Sequence, residues 1–194
     1  MDVNVFLFPD FETLDAFGPV EVLGRIEQYT LCYVSMNGGL ITSRQGTQIL
    51  TKSVDEADYS GILLLPGGQG TRCLVDDAAF IRTLTGISQQ AMYCLAVCTG
   101  SALLAKTGLL DNRKATSNKK AFAWVKSTNG NVTWIEKARW VVDEKYYTSS
   151  GISAGIDMTL GFIADRFGNK KAEEIAEAIE YIWNTDSTND QFST

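Results

Sequence analysis

The sequence predicts an α/β sandwich in which a mainly parallel sheet is covered by helices on both faces. Short runs of strand length are almost entirely apolar, and they alternate with segments that place apolar residues at helical spacing. An abrupt change from strand pattern to helix pattern at Cys98 adds a strand–turn–helix junction with a thiol at the bend. The 194 residues suit a single domain, 1–194, with a complete hydrophobic core.

The first third of the chain is predicted to contain a strand, a helix, a second strand and a hairpin. Residues 3–8 form a short apolar run, and residues 12–26 carry apolar side chains at helical spacing. Residues 31–36 are predicted as the second strand. Asn37-Gly38-Gly39 predicts a turn, and the weak alternation over 40–54 predicts a hairpin.

The rest of the chain continues the alternation of strands and helices. An apolar strand over 62–65 stops at Pro66-Gly67-Gly68-Gln69-Gly70, and a helical pattern follows over 76–90. The strand that ends at Cys98 leads into a helix that Gly108 terminates. Strands at 134–142 and 146–149, helices at 153–167 and 170–183, and a loose polar tail at 184–194 complete the prediction.

Three predicted loops are expected to form the functional site. Ligand sites of open parallel sheets lie at the carboxyl ends of the strands. In this chain such loops follow Phe8, Leu65 and the strand that ends at Cys98. We therefore expect the reactive side chains of these loops to meet in one place.

Composition and charge exclude several classes of function. The formal net charge is −6, whereas nucleic-acid binding needs clustered lysine and arginine. The one basic cluster, Lys119-Lys120, is interpreted as a solvated helix start. No apolar run approaches the ~20 residues of a membrane span, and the N-terminus lacks the basic region of a signal peptide. We expect a cytoplasmic protein with a small-molecule substrate, no nucleic-acid partner and no membrane association.

The chain has four cysteines and no histidine. Cys32 and Cys94 lie in apolar runs, where a free thiol behaves as a small hydrophobic side chain. We expect all four cysteines, which include Cys73 and Cys98, to be reduced. Without histidine and without a Cys-x-x-Cys pair, the sequence predicts no structural metal site. Any nucleophile must also act without the imidazole base on which most cysteine and serine hydrolases rely.

Cys98 is the leading candidate for a nucleophile. It follows an apolar run, and Thr99-Gly100-Ser101 then opens a helical pattern. A thiol at this junction lies beside the unpaired N–H groups of a helix N-terminus, which favour the thiolate. The alternative interpretation is a buried cysteine of the hydrophobic core.

Residues of the other two loops are candidates for the rest of the site. The N–H of Gly68 is expected to join that of Thr99 as a donor for developing negative charge, the alternative being a glycine-rich tight turn. Asp15 follows the first strand among apolar neighbours, so we expect a raised pKa and a role as proton donor. The alternative for Asp15 is an ordinary surface or cap carboxylate. Glu12 is the competing carboxylate.

The run Gly151-Ile152-Ser153-Ala154-Gly155 matches the Gly-x-Ser-x-Gly elbow of serine hydrolases. A Ser–His pair cannot form in a chain without histidine. Ser153 is therefore interpreted as the N-cap of the following helix.

Taken together, these residues resemble the ThiJ/PfpI family, part of the class I glutamine amidotransferase-like superfamily. The resemblance covers nearly the whole chain and depends on several motifs in combination. These are Phe8-Pro9, Leu14-Asp15, Gly18-Pro19, Leu65-Pro66-Gly67-Gly68, Val97-Cys98-Thr99-Gly100-Ser101, Gly108-Leu109-Leu110, Lys114-Ala115-Thr116 and Ser150-Gly151-Ile152-Ser153-Ala154-Gly155-Ile156-Asp157. The family implies a flavodoxin-like sandwich with a nucleophile elbow at a strand–helix junction.

Within the family, the chain resembles the isocyanide hydratase branch, which shares the Leu-Asp-x-x-Gly-Pro segment and the Cys-Thr-Gly-Ser elbow. The resemblance implies that Cys98 is the nucleophile and Asp15 the acid/base. It places Gly68, Thr99 and Gly67 in the substrate or oxyanion site, and it implies a homodimer without a cofactor. The expected reaction is hydration of an isocyanide to an N-formamide through a Cys98 thioimidate.

The chain departs from the family pattern in two places. Protease and amidase members have a histidine next to the cysteine, whereas this chain has Val97-Cys98-Thr99, so protease or amidase activity is not expected. Isocyanide hydratases often carry a histidine and a tyrosine after the Ala-Thr segment. This chain has Ser117-Asn118-Lys119-Lys120 there, so its pocket wall differs.

Two alternative functions stay open. One is a glyoxalase-like conversion of 2-oxoaldehydes, with Glu12 as the base. The other is a non-catalytic thiol sensor or stress protein in which Cys98 is oxidised to sulfinic acid. A transcription regulator is not expected, because the chain is acidic and ends about where the domain does.

Overall fold

The alternating strands and helices form the predicted α/β sandwich in the computed structural model, which describes residues 1–193. The strands are β1 (Asp2–Phe6), β2 (Thr30–Ser35), β3 (Asn37–Thr42), β4 (Gln48–Ser53), β5 (Ile62–Leu65), β6 (Tyr93–Val97), β7 (Lys114–Ala115), β8 (Thr133–Trp134), β9 (Trp140–Asp143) and β10 (Tyr146–Ser149). Eight of them form one sheet, and β7 pairs with β8 in a second sheet of two strands.

The central sheet has the strand order β3-β4-β2-β1-β5-β6-β10-β9. The six strands from β4 to β10 in this order are parallel to their neighbours. An antiparallel strand lies at each edge, β3 against β4 and β9 against β10. The mainly parallel sheet predicted from the continuously apolar strands is confirmed.

Helices cover both faces of this sheet. They are α1 (Thr13–Leu23), α2 (Thr71–Leu74), α3 (Ala78–Gln90), α4 (Gly100–Lys106), α5 (Phe122–Thr128), α6 (Ala154–Phe167) and α7 (Asn169–Ala178). On one face, Phe6 of β1 stacks on Phe80 of α3 with ring centroids 5.1 Å apart. On the other face, Tyr147 of β10 meets Phe162 of α6 edge to face at 5.1 Å. Aromatic contacts of this kind join the sheet to both helical layers.

Three local predictions are wrong. The segment 37–39 is not a turn, because it begins β3; the hairpin turn lies at Ser43, whose N–H donates to the Thr47 carbonyl over 2.8 Å. The predicted strand over 134–142 is interrupted between β8 and β9. The last helix ends at Ala178 rather than at Trp183, because Glu180 adopts a left-handed backbone with φ of 51°. The short elements α2, α5, β7 and β8 were not predicted as such from the sequence.

The C-terminal segment is not a loose tail over residues 184–193. The N–H of Arg139 donates to the Ser187 carbonyl over 2.8 Å, and Asp190 is buried. The buried Arg139 guanidinium lies 2.5 Å from a carboxylate oxygen of Asp157 and 3.5 Å from one of Asp190. Buried charges need such partners, so the cluster fixes the segment against β9 and α6.

Ser153 occupies the N-cap position of α6, but its side chain makes no capping hydrogen bond. The reason is that its backbone is already helical, with φ of −72° and ψ of −22°, whereas side-chain capping uses extended backbone. None of the helices formed by residues 1–193 combines the length and apolar content that a bilayer span needs.

Candidate active site

Cys98 lies at the bend between β6 and α4, with a left-handed backbone φ of 57°. Its N–H donates to the Ser149 carbonyl over 3.2 Å. Its carbonyl accepts hydrogen bonds from the hydroxyl groups of Ser101 at 2.9 Å and Ser117 at 2.8 Å. A non-glycine residue in this region is strained, and these contacts from three parts of the chain hold the strained conformation.

Asp15 lies in the first turn of α1 and is completely buried. Its Oδ2 accepts a hydrogen bond from the N–H of Gly67 over 3.0 Å, whereas Oδ1 has no such partner within residues 1–193. Burial raises the pKa of the Asp15 carboxyl to about 8; contacts with Gly67 and Cys98 lower it, and the charge of Glu12 raises it. Asp15 therefore has the raised pKa expected from its apolar neighbours, and it is mostly protonated at neutral pH.

The Cys98 thiol is buried beside this carboxyl. Burial raises the pKa of the thiol well above its usual range, and the neighbouring Asp15 charge raises it further. The Thr99 N–H lowers the thiol pKa, as expected for the helix N-terminus, and Asn118 also lowers it. Burial outweighs this effect, so the resting Cys98 is a protonated thiol rather than the thiolate expected from the sequence.

The glycine-rich loop after β5 holds the carboxyl and the elbow together. The Gly67 N–H is donated to Asp15, as described above. The Gly68 N–H donates to the Thr99 hydroxyl oxygen over 3.0 Å, so it is not the unpaired oxyanion donor that the sequence predicts. A Cβ atom at Gly67 would lie 2.6 Å from the Thr99 nitrogen and 2.9 Å from Asp15 Oδ2. Glycine is therefore needed at Gly67 for this close approach.

A cleft of about 250 Å³ opens onto the thiol. It is lined by Glu12, Gly68, Gln69, Arg72, Cys98, Thr99, Asn118, Lys120, Ala121 and Ile152. The three predicted loops thus meet in one place, as the sheet topology requires. Glu12 lies at the cleft, and its Oε1 accepts a hydrogen bond from Gln45 Nε2 over 2.6 Å. A second cavity of about 250 Å³ shares Asn118, Lys120 and Ile152 with the cleft and has Phe192 in its wall.

Two residues that line the cleft, Arg72 and Ala121, were not named by the sequence interpretation. Arg72 belongs to the short helix α2, which carries no clear periodic signal. Asn118 lies in the segment that departs from the family pattern, and its Oδ1 accepts a hydrogen bond from the Ala121 N–H over 3.0 Å. This segment was predicted to form part of the pocket wall, and Asn118 and Lys120 do line the cleft.

Lys119 is not the solvated residue that the sequence predicts. Its Nζ donates to Thr116 Oγ1 over 2.9 Å and to the Ala138 carbonyl over 2.6 Å. Burial lowers the pKa of the Lys119 ammonium to about 8, and the charges of Asp190 and Glu136 oppose this change. Lys120, in contrast, is exposed and lines the cleft.

Residues 1–193 contain no group of three or more histidine, cysteine, aspartate and glutamate side chains placed to hold a metal ion. The four cysteines are all free thiols.

The fold and the cleft define a flavodoxin-like α/β protein with a cysteine at a strand–helix bend beside a buried carboxyl. The family model described as the DJ-1/PfpI family matches residues 1–165. The chain belongs to this family, also written ThiJ/PfpI.

Relatives within the family differ in function. The chain is 30% identical over 182 residues to an isonitrile hydratase of Pseudomonas putida, an alignment that covers 93% of this chain and 78% of the relative. It is 26% identical over 183 residues to the HTH-type transcriptional regulator CdhR of Pseudomonas aeruginosa, covering 91% of this chain. The chain spans 54% of the length of that regulator.

Solved structures share the fold. A ThiJ/PfpI family protein from Pseudomonas syringae superimposes with a TM-score of 0.80 at 26% identity, covering 94% of this chain and 76% of that one. DJ-1beta of Drosophila melanogaster superimposes with a TM-score of 0.78 at 21% identity, covering 94% of this chain and 98% of that one. The second likeness concerns the fold alone.

Proposed function

We propose that this protein is a hydratase that converts an isocyanide to an N-formamide, with Cys98 as the nucleophile and Asp15 as the acid/base. The observation that carries the proposal is the buried Asp15 carboxyl, whose Oδ1 has no hydrogen-bond partner within residues 1–193 and whose pKa is raised by burial and lowered by the neighbouring Cys98 thiol. A carboxyl placed in this way can take the proton of the thiol and give it back, so no imidazole is needed. The likeness to an isonitrile hydratase over 93% of the chain also supports the proposal.

The active form of the pair holds one proton. The Asp15 carboxylate removes the thiol proton, and the Cys98 thiolate forms a bond to the terminal carbon of the isocyanide. The same carbon then takes the proton from Asp15. The carbon–nitrogen triple bond becomes a double bond, and the product of this step is a thioimidate, R–N=CH–S–Cys98, beside an Asp15 carboxylate.

Water completes the reaction. Asp15 removes a proton from water as the water oxygen adds to the thioimidate carbon, and it passes this proton to the nitrogen. The resulting tetrahedral adduct loses its hydroxyl proton to Asp15 as the carbon–sulfur bond breaks. The formamide leaves, and the proton returns to the thiolate, so one isocyanide and one water give one N-formamide.

The backbone around the cleft positions these groups. The Thr99 N–H lies at the sulfur and stabilises negative charge there. The Gly67 N–H fixes Oδ2 of Asp15, which leaves Oδ1 to exchange protons with the thiol and the substrate. The Ser101 and Ser117 hydroxyl groups hold the strained Cys98 backbone in place.

Two observations weigh against the alternative functions. Glu12, the base of the glyoxalase-like alternative, already accepts a hydrogen bond from Gln45. The raised pKa of the Cys98 thiol disfavours the thiolate that a thiol sensor needs for oxidation. Both observations favour a reaction in which a neutral thiol is activated by the adjacent carboxyl.

The test is formamide production from cyclohexyl isocyanide by the wild type and by the Cys98→Ala variant. Cys73→Ser is the matched control, because Cys73 is an exposed thiol that does not line the cleft. We expect turnover in the wild type and the control, and none above background in Cys98→Ala. Full turnover in Cys98→Ala would contradict the proposed nucleophile, and no turnover of isocyanide by the wild type would contradict the proposed reaction.

A further inference from the structure

Arg72 lines the cleft together with Cys98 and is held by an aromatic platform. Its guanidinium carbon lies 3.4 Å from the centroid of a Trp124 ring. Stacking of this kind fixes the plane of the guanidinium group and leaves its N–H donors at the edge accessible. The two residues come from α2 and α5, so the contact exists only in the folded protein.

The guanidinium group of Arg72 has no polar partner within residues 1–193. It forms no ion pair and no side-chain hydrogen bond there, although it is partly buried. The other two arginines that are at least partly buried are both paired: Arg113 with Asp143 at 3.0 Å and Arg139 with Asp157 at 2.5 Å. An arginine has five N–H donors, and a partly buried one normally uses them.

Two cationic side chains, Arg72 and Lys120, line this cleft in a protein of net charge −6. Lys120 lines both the cleft and the adjacent cavity, is exposed, and forms no ion pair within residues 1–193. The one carboxylate among the residues that line the cleft, Glu12, lies within 4.0 Å of neither cation. The cleft therefore offers a stacked guanidinium and an exposed ammonium to a ligand.

We propose that the cleft selects substrates in which the group that reacts with Cys98 is linked to a carboxylate, and that Arg72 binds this carboxylate. The planar guanidinium matches a carboxylate in shape and charge, and the Trp124 ring reduces the entropy lost on binding. Lys120 adds charge that attracts the anion. This inference rests on the proposed function, because it names the substrate class of the same site.

The first test does not depend on any enzymatic activity. In a Cys73→Ser background, Cys98 is alkylated with iodoacetate or with iodoacetamide, and labelling of the Cys98 peptide is followed by mass spectrometry. In each case the thiolate displaces iodide and forms a carbon–sulfur bond, and the thiol proton leaves to Asp15 or to buffer. Each rate is divided by that of N-acetylcysteine under the same conditions, which removes the intrinsic difference between the reagents.

We expect the normalised rate for iodoacetate to exceed that for iodoacetamide, and Arg72→Gln to reduce this preference about tenfold. Arg82→Gln is the matched control, because Arg82 is exposed on α3 and lines no part of the cleft; it should leave the preference unchanged. Arg72→Lys keeps the charge without the planar group and should reduce the preference less. An unchanged preference in both Arg72 variants, or none in the background protein, overturns the proposal.

The second test separates this inference from the proposed function. Isocyanoacetate and its neutral methyl ester are compared as substrates, and we expect Arg72→Gln to raise KM about tenfold more for the acid than for the ester. If both compounds are turned over, and if the KM of each is the same in the wild type and in Arg72→Gln, the anion site is overturned and the proposed hydratase activity is not. Turnover of neither compound, with an Arg72-dependent alkylation preference, overturns the hydratase and supports the anion site.

Discussion

The Asp15 carboxyl of α1 and the Cys98 thiol at the end of β6 are buried against each other. Charge on Asp15 raises the thiol pKa, and the thiol in turn interacts with the carboxyl, so the two groups titrate as a coupled pair. Near neutral pH the pair holds both protons. The proposed reaction needs the form with one proton, in which the carboxylate is available as a base.

The pH dependence of the proposed reaction follows from this pair. The pKa of Asp15 is raised to about 8, so the form with one proton increases as the pH rises through that value. We expect kcat/KM to increase from pH 6 and to level off above about pH 8, which initial rates across this range would measure. An increase in kcat/KM centred near pH 6.5, or a kcat/KM that does not change with pH, would contradict the assignment of this pH dependence to Asp15.

Replacement of Asp15 should separate activity from stability. Asp15→Asn removes the proton carrier, and we expect a loss of about 10²–10⁴-fold in kcat. The wild-type carboxyl has a pKa of about 8 when folded against an ordinary value of 3.8, so the native state binds its proton more tightly. The free energy of unfolding of the wild type should therefore fall as the pH rises between these two values.

The amide introduced by Asp15→Asn does not titrate, so the free energy of unfolding of this variant should not show that decrease with rising pH. We expect the variant to gain stability relative to the wild type by on the order of 4 kcal/mol between pH 5 and pH 9, with little further gain at higher pH. Urea unfolding at several pH values measures the difference. A difference in stability that does not change with pH would show that Asp15 has an ordinary pKa in the folded state.

The buried charge cluster under the C-terminal segment should be important for stability. Arg139→Met leaves the carboxylates of Asp157 and Asp190 buried without their cation, and we expect a loss of about 3–5 kcal/mol in the free energy of unfolding. The matched control is Arg25→Met, which breaks an exposed pair with Glu21 and should cost less than about 1 kcal/mol. Urea titrations of both variants give the comparison. Equal losses in the two would mean that burial of the cluster adds nothing.

Alanine is expected to have opposite effects on stability at two glycines, Gly67 and Gly86, because only Gly67 has close neighbours. Gly67→Ala places a methyl group against the Thr99 nitrogen and Asp15, and we expect it to lower both the melting temperature and the activity. Gly86→Ala has open space around the new methyl group inside α3, and we expect a gain of about 0.5–1 kcal/mol. Thermal melts of both variants test the pair. A melting temperature for Gly67→Ala equal to that of the wild type would contradict the contact.

Much of the fold was predictable from local patterns. The strand β5 is buried and apolar throughout, β6 is buried after its first residue, and the abrupt change at Cys98 marked the elbow. The loops that bring Asp15, Gly67 and Cys98 together follow from the parallel order of these strands. The roles assigned to these residues and the expected homodimer and cytoplasmic location stay predictions.

What the sequence did not show depends on contacts between distant segments. The segment after Trp183 looks loose because it is polar, and its burial depends on a cation at Arg139 that no local pattern connects to it. The stacking of Arg72 on Trp124 joins two short helices that lack a periodic signal. The pKa of Cys98 was misjudged because local sequence shows the helix N-terminus but not the depth of burial.

Two thiols lie close together along β6 but differ in access. Cys98 follows the strand and lines the cleft, whereas Cys94 lies within the strand and does not line the cleft. Cys94 is 2% exposed, its pKa is raised to about 12 by burial, and its Sγ donates to the Ser88 carbonyl. A thiol reagent can approach Cys98 through the cleft, but it reaches Cys94 only when the sheet opens. The rates at which a thiol reagent labels the two residues therefore report two different motions. Labelling of Cys98 reports local opening of the cleft, and labelling of Cys94 reports cooperative opening of the core.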